Sequence, residues 1–332
     1  MHKMPLTILF NTYPVAFDCP GGGEVQLLKY MEQLEAAGVH VIRYDPWNAK
    51  KQFDQADIVH YFSVQGGSWR FCIHVQEVRK VPLIISPIIW IDDPAKYGME
   101  EIGATLRMAD HILPNSQAEC DQLANTFDMP PSLFSPIVNG VDDIFFVQAD
   151  PTVFRNQFGI QNKFVLCMGN IETRKNQLRL IEALQGSGIH LVLAGQEREA
   201  DYALQCHASA DATVHFVGVL EHGSDLQRSA YAATEALILP STLETPGLAA
   251  LEAASAGCRI AVTQEGCTRE YFRDFAEYMN PYDTTSIRHS VQTALNSPRR
   301  PEFSTFIKEH YTWKHAAQQL IAIYNNVLGT RG

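Results

Sequence analysis

The chain has 332 residues, 46% of them hydrophobic, and carries 26 Lys and Arg against 37 Asp and Glu, a formal charge of −11. That length and apolar content suit about two domains with buried cores, and the acidic balance argues against a nucleic-acid footprint or a polybasic membrane patch. Seven cysteines, at 19, 72, 120, 167, 206, 258 and 267, form no CxxC pair, which points away from a disulfide framework or zinc site and toward a reducing cytoplasm.

No apolar run reaches spanning length, and the opening MHKMPLTILFNTYP reads as a polar leader and a short strand rather than a signal peptide. Peripheral contact with the inner face of a membrane stays open. Strand-like runs at 6–10, 39–44, 58–62, 83–86 and 111–114 alternate with helical patterns at 24–37, 99–108 and 116–127. This alternation implies βαβ units and a parallel sheet. Gly21, Gly22 and Gly23 stand before the first helix, where glycines let a backbone approach a phosphate. They lack GxGxxG spacing, so a plain loop is an equal reading, and Asp45 keeps a dinucleotide reading open. His60 closes the run Asp57-Ile58-Val59-His60, either as a neutral, satisfied histidine or as a residue facing substrate. Asp92-Asp93-Pro94 reads as a turn and helix start rather than a metal site. Trp69 and Trp90 lie in loop-like segments and suit either packing or stacking on a sugar.

Asn139-Gly140-Val141-Asp142 is a turn signal, and residues 146–162 have weak periodicity, so the domain boundary is expected near 148. A second alternating series follows, with strands at 164–168, 191–194, 214–217, 236–239 and 259–263. Arg174 and Lys175 sit at the start of a helix predicted over 177–184. Cations are unfavourable at that end of a helix unless an anion such as a diphosphate offsets them. The stretch PSTLETPGLAALEAASAG at 240–257 places Glu244 before, and Glu252 on, a helix of otherwise small and apolar residues. A carboxylate buried on such a helix needs hydrogen-bond donors, from the protein or from ligand hydroxyls. The free amides of Gly247, Leu248 and Ala249 would face the carboxyl edge of a parallel strand, where open α/β sheets bind ligands. A final amphipathic helix spans 313–328. No HExxH, nucleophile elbow, P-loop or DxD motif is present, so metal-independent transfer chemistry is the simpler expectation.

Taken together, these segments resemble the family 4 retaining glycosyltransferases of the GT-B fold, also called group 1. The resemblance rests on the glycine loop at 21–23, DIVH at 57–60, DHILPNSQAECDQL at 110–123, VNGVD at 138–142, the stretch 164–176, ALILPSTLETPGLAALEAASAG at 236–257, EGCTREYF at 265–272 and YTWKHAAQQLIAIY at 311–324. The E-x7-E spacing of Glu244 and Glu252 is its most specific element. The resemblance implies an α/β chain of two Rossmann-like domains facing a central cleft. Residues 1–148 would bind the acceptor and 149–312 the nucleotide sugar, while 313–332 would cross back toward the first domain. It implies transfer of a hexose or 6-deoxyhexose from a nucleotide-diphosphate sugar to a glycan or lipid-linked acceptor, in surface polysaccharide assembly, with no cofactor.

By the same resemblance, Glu244 faces the donor sugar, Glu252 the ribose, and Lys175 with Arg174 the diphosphate. The donor-binding set is Gly22, Gly23, Gly169, Asn170, Thr245, Gly247, Leu248 and Glu252, with His60 and Trp90 on the acceptor side and no metal ligand. Three departures stand out. Asn170 replaces a family arginine, Ser86-Pro87 stand where many members carry a histidine near the donor's 6-hydroxyl, and Thr245-Pro246 replace a Gly-Phe or Ser-Phe pair. The missing histidine suits a 6-deoxyhexose. A nucleotide-sugar epimerase and a degenerate nucleotide-binding subunit are the alternatives, and a dehydrogenase fits least.

Overall fold

A computed structural model of the protein describes residues 6–18 and 21–331; residues 1–5 of the expected leader, and Cys19, lie outside them. The chain divides into one unit of Met1–Gly140 with Trp313–Gly332 and a second of Val141–Thr312.

In the first unit, β1 (Thr7–Thr12), β2 (His40–Arg43), β3 (Ile58–Phe62), β4 (Leu83–Ser86) and β5 (His111–Ile112) form one sheet in the order β2-β1-β3-β4-β5. Every pairing is parallel, with Leu9 beside Val59 and Val59 beside Leu83. Helices cover both faces of such a sheet, which is why its inner strands read as unbroken apolar runs. Ile8, Leu9, Ile58, Val59, Leu83, Ile84 and Ile85 are accordingly all fully buried. The helix Trp313–Arg331 belongs to this unit and packs on the helix Gly22–Ala36, where the rings of Trp313 and Tyr30 meet edge-on at 5.9 Å. It buries Trp313, Ala316, Leu320, Tyr324 and Val327 at helical spacing.

The second unit holds β6 (Phe164–Met168), β7 (His190–Ala194), β8 (Val214–Gly218), β9 (Ala236–Leu239), β10 (Arg259–Thr263) and β11 (Glu277–Met279). Their order is β11-β10-β9-β6-β7-β8, again all parallel. From β6 the chain runs outward through β7 and β8, then returns to β9 on the other side. The neighbours β6 and β9 therefore form the topological switch point, whose carboxyl ends open the crevice that doubly wound sheets use for ligands.

The division between the units falls at Gly140 and Val141, earlier than the boundary expected near 148. Val141 donates to the Tyr311 carbonyl at 3.0 Å and bridges Thr312, so the chain enters and leaves the second unit side by side. The weakly periodic stretch near 150 is not a linker. Asp150 caps the helix Pro151–Phe158 by accepting from the Thr152 amide at 2.8 Å, with Pro151 at its first position. Phe154 is fully buried and its amide donates to Ser229 Oγ at 2.8 Å, fixing this helix on the helix Asp225–Ala233. Eight residues are too few to show a clear period.

Candidate active site in the second unit

Two chain segments leave the switch point together. After β6, Gly169 adopts a φ of +152°, and a Cβ there would touch the Lys175 stem at 3.4 Å. Gly195, at the end of β7, comes so close that a Cβ would meet the Gly169 carbonyl at 2.0 Å, so only glycine allows these strand ends to converge. A short turn, Thr173–Lys175, then leads through Asn176 in the left-handed conformation into the helix Gln177–Leu184. The Asn176 side-chain amide ties this turn to the Pro240 and Pro281 carbonyls at 2.9 and 2.8 Å.

After β9, residues 240–247 bring Glu244 under this turn. Lys175 Nζ lies 2.6 Å from Glu244 Oε1, and Ser241 Oγ donates to the same oxygen at 2.6 Å. The pair is largely dry, with the Lys175 side chain 16% exposed and that of Glu244 5%. Burial pushes the Glu244 carboxyl up, but the Lys175 ammonium, the Arg174 guanidinium and the Ser241 hydroxyl together hold it below the usual carboxylate range. Gly247, with φ +94°, lies so close that a Cβ would sit 3.3 Å from Glu244 Oε2. Gly266 lets the Glu244 backbone pass in the same way, since a Cβ there would meet its carbonyl at 2.1 Å. Arg174 turns back on its own turn, donating to Glu172 Oε1 at 3.1 Å and to the Leu243 carbonyl at 3.2 Å. Asn170 is half-buried and its carbonyl accepts from Gln177 Nε2 at 2.7 Å.

The helix Leu248–Ser255 begins beside Glu244, and its first amides, at Leu248 and Ala249, have no intrahelical acceptor. Thr245 and Pro246 join Glu244 to it through a cis peptide bond. Glu252 stands in its second turn, buried, and the donors it needs come from the protein itself. Tyr231 Oη donates to Glu252 Oε2 at 2.6 Å and Gln227 Nε2 at 3.1 Å, while His222 Nδ1 lies 3.4 Å from Oε1. His222 Nε2 in turn contacts Asp142 Oδ2 at 3.0 Å. Burial raises the Glu252 carboxyl to about 7, with His222 and Tyr231 opposing that rise. Glu252 thus stays close to neutrality while Glu244 is held anionic, because one faces an ammonium and the other a phenol, an amide and an imidazole.

No site role was expected from the sequence for Asp142, Glu172, His222, Gln227 or Tyr231, and Asp142 stood there only as part of a turn signal. His222 follows β8 in a Glu-His-Gly turn and Asp142 belongs to the Val-Asn-Gly-Val-Asp motif, so a turn at a strand's carboxyl end was the signal available.

Gly22, Gly23, His60 and Trp90 belong to the first unit. Gly22 and Gly23 form the first turn of the helix Gly22–Ala36 rather than a loop before it, and a Cβ on Gly23 would press on Ile88 at 3.1 Å. His60 is a correction. It is 0% exposed and bridges Tyr324 Oη at 2.7 Å and Ser86 Oγ at 2.9 Å, so it faces no solute. Burial pushes its imidazole down to about 3, so it remains neutral. Trp90 is half-buried and its carbonyl accepts from Tyr97 Oη at 2.9 Å. Among the described residues, no helix is long and apolar enough to cross a membrane.

Comparison with known proteins fits this geometry. Residues 151–313 match the sequence model of the family "Glycosyl transferases group 1". An uncharacterised glycosyltransferase of Methanocaldococcus jannaschii is 24% identical over 240 residues, covering 67% of this chain and 61% of that protein. The chain spans less than two thirds of the curated relatives it matches. Among solved structures, sucrose-phosphate synthase from Thermosynechococcus elongatus superposes with a TM-score of 0.81 at 16% identity, over 98% of this chain and 100% of that one. Anabaena HepE, crystallised with UDP, superposes with a TM-score of 0.78 at 18% identity, over 97% and 100%. With two all-parallel Rossmann-like sheets and solved neighbours that cover nearly its whole length, the chain has the GT-B fold, and its residues 151–313 resemble the group 1 glycosyl transferases.

Proposed function

We propose that the chain is a retaining, metal-independent glycosyltransferase that moves a hexose or 6-deoxyhexose from a nucleotide-diphosphate sugar to an acceptor hydroxyl. The observation that carries this reading is the dry Lys175–Glu244 pair at the β6/β9 switch point, beside the open amides of Leu248 and Ala249. A diphosphate arriving there draws the Lys175 ammonium, and Glu244, relieved of its partner, accepts hydroxyls of the sugar. Glu252 exchanges the His222 contact for the two hydroxyls of a ribose. UDP in HepE is a nucleotide of the class this arrangement suits.

Chemically, the acceptor oxygen enters on the face from which the diphosphate leaves, and the departing phosphate takes the hydroxyl proton. The protein then supplies position and a fixed cation for the developing charge rather than a nucleophile. The 6-deoxyhexose reading is supported by Ser86, whose hydroxyl is buried and taken up by His60.

The test is turnover of UDP-glucose, GDP-mannose and dTDP-rhamnose by the purified chain in the presence of EDTA, with the product anomer assigned by NMR. An inverted anomer refutes retention, loss of activity in EDTA refutes metal independence, and preference for a 6-hydroxylated donor refutes the 6-deoxyhexose. Product formed without acceptor identifies an epimerase, and nucleotide binding without turnover a degenerate subunit. Lys175→Ala is expected to lower kcat by about 10²–10³, and full activity in that variant overturns its role.

A further inference from the structure

A cavity of about 820 Å³ opens in the first unit, where β1, β2 and β3 end. Much of its wall is aromatic, including Tyr13, Tyr44, Tyr61, Trp69 and Phe71. Three charged side chains also line it. Arg43 stands over the Phe17 ring at 5.1 Å and Arg70 over the Trp69 ring at 5.6 Å, and both are exposed. Neither guanidinium has a carboxylate partner among the described residues. The third is Glu101, in the first turn of the helix Met99–Arg107, whose Oε1 is buried without a hydrogen-bond partner.

Each feature selects part of a ligand. Guanidinium forks that no carboxylate occupies suit a phosphate. A buried carboxylate oxygen without a donor suits a hydroxyl. Aromatic faces suit the C–H face of a sugar ring, and the volume lies within the usual range for small-molecule sites. Inorganic phosphate would use the arginines but leave the aromatic wall and Glu101 idle. A prenyl chain would use the wall but press hydrocarbon onto the Glu101 carboxylate, which is costly.

We propose that this cavity binds a phosphorylated monosaccharide and, resting on the transferase reading above, that this sugar phosphate is the acceptor. In the reaction, a hydroxyl oxygen of the sugar phosphate bonds the donor's anomeric carbon as the bond from that carbon to the diphosphate breaks. The hydroxyl proton passes to the departing diphosphate. The products are a phosphorylated disaccharide and the nucleoside diphosphate.

The experiment is calorimetric titration of the whole chain with glucose 6-phosphate, fructose 6-phosphate and mannose 6-phosphate. The three parent sugars, inorganic phosphate and farnesyl phosphate are titrated beside them, with UDP and GDP in parallel. At least one sugar phosphate is expected to bind at least about tenfold more tightly than its parent sugar and than inorganic phosphate. The double substitution Arg43→Gln with Arg70→Gln, at exposed positions, is expected to weaken that binding by at least about tenfold while leaving nucleotide affinity unchanged. Trp69→Ala should weaken it too.

Tightest binding by farnesyl phosphate, equal binding by inorganic phosphate, or sugar-phosphate binding that survives the double substitution overturns the assignment. Nucleotide binding with no sugar-phosphate binding sinks this site and leaves the transferase reading standing. Arginine-dependent sugar-phosphate binding without transfer from any nucleotide sugar keeps the site and sinks the transferase reading.

Discussion

Replacing Lys175 by methionine tests how the site holds its charge. At 2.6 Å, two unit charges attract by about 6 kcal/mol at an effective dielectric of about 20, and much of that offsets the cost of drying both groups. Removing Lys175 alone leaves Glu244 buried with the Ser241 hydroxyl, and stranding such a charge costs about 3–5 kcal/mol. The lower end applies because Lys175 retains 16% exposure. For a unit the size of Val141–Thr312, about 3 kcal/mol corresponds to a fall in Tm of about 6–12 °C. The double variant Lys175→Met with Glu244→Gln should recover all but about 1 kcal/mol, because no charge is stranded. It should not recover turnover.

The pH dependence follows from the same pair. In the wild type the Glu244 carboxyl is held low, so its contribution is present above the unfolded value and is lost as pH falls through the folded one. Without Lys175, burial pushes the carboxyl up and the group gains a proton, so acid favours the variant and the gap narrows. All four tryptophans, at 47, 69, 90 and 313, lie in the first unit. Tryptophan fluorescence therefore follows that unit alone, and far-UV circular dichroism, which sums both units, gives the second by difference. A Lys175→Met melt within about 2 °C of the wild type at neutral pH, or a gap that widens in acid, refutes the reasoning.

Two buried groups, Glu252 in the second unit and His60 in the first, should respond to pH in opposite directions. Glu252, raised from 4.5 to about 7 in the fold, contributes stability that is present below its unfolded value and is lost as pH rises through about 7, up to about 3 kcal/mol. Glu252→Gln should flatten that part of the circular-dichroism stability profile, and an unchanged slope counts against the assignment. His60, lowered from 6.5 to about 3, contributes stability that is present above its unfolded value and lost toward acid, about 2 kcal/mol by pH 5. Tryptophan fluorescence should register the loss in the wild type, and a His60→Gln variant that keeps the same acid slope contradicts it. Gly195→Ala drives a Cβ to 2.0 Å from the Gly169 carbonyl and should cost more than about 3 kcal/mol. Gly186→Ala, also at positive φ but with nothing within 4 Å, should cost about 1–2 kcal/mol, and equal melting temperatures for the two alanine variants would exclude the contact as the cause.

The inner strands were legible because parallel strands covered on both faces carry unbroken apolar runs: Ile58–Phe62 and Ala236–Leu239 end where the sequence pattern ends. The edge strand β11 has three residues, of which only Met279 is buried, and it shows no pattern to read. Lys175 and Glu244 were each marked by composition, one as a cation at a helix start and the other as an acid before an apolar helix. Their pairing was not visible, because the chain passes through β7, β8 and β9 in the 69 residues that separate them. A carboxylate on the apolar helix Leu248–Ser255 signalled that Glu252 needs donors. Which donors depends on how the helix Asp225–Ala233 packs, and that brings Gln227 and Tyr231 to the carboxylate.

The first unit is made of the two ends of the chain, with the whole second unit strung between Gly140 and Trp313. During synthesis, β6 to β11 can close into their own sheet while the first unit still lacks its last helix. Until Trp313–Arg331 arrives, Tyr30 lacks the Trp313 ring and His60 lacks the Tyr324 hydroxyl, which leaves a polar atom and an apolar face exposed together. Of the two units, the one begun earlier is therefore completed later, and a chain truncated after residue 312 would carry a complete second unit and an incomplete first one.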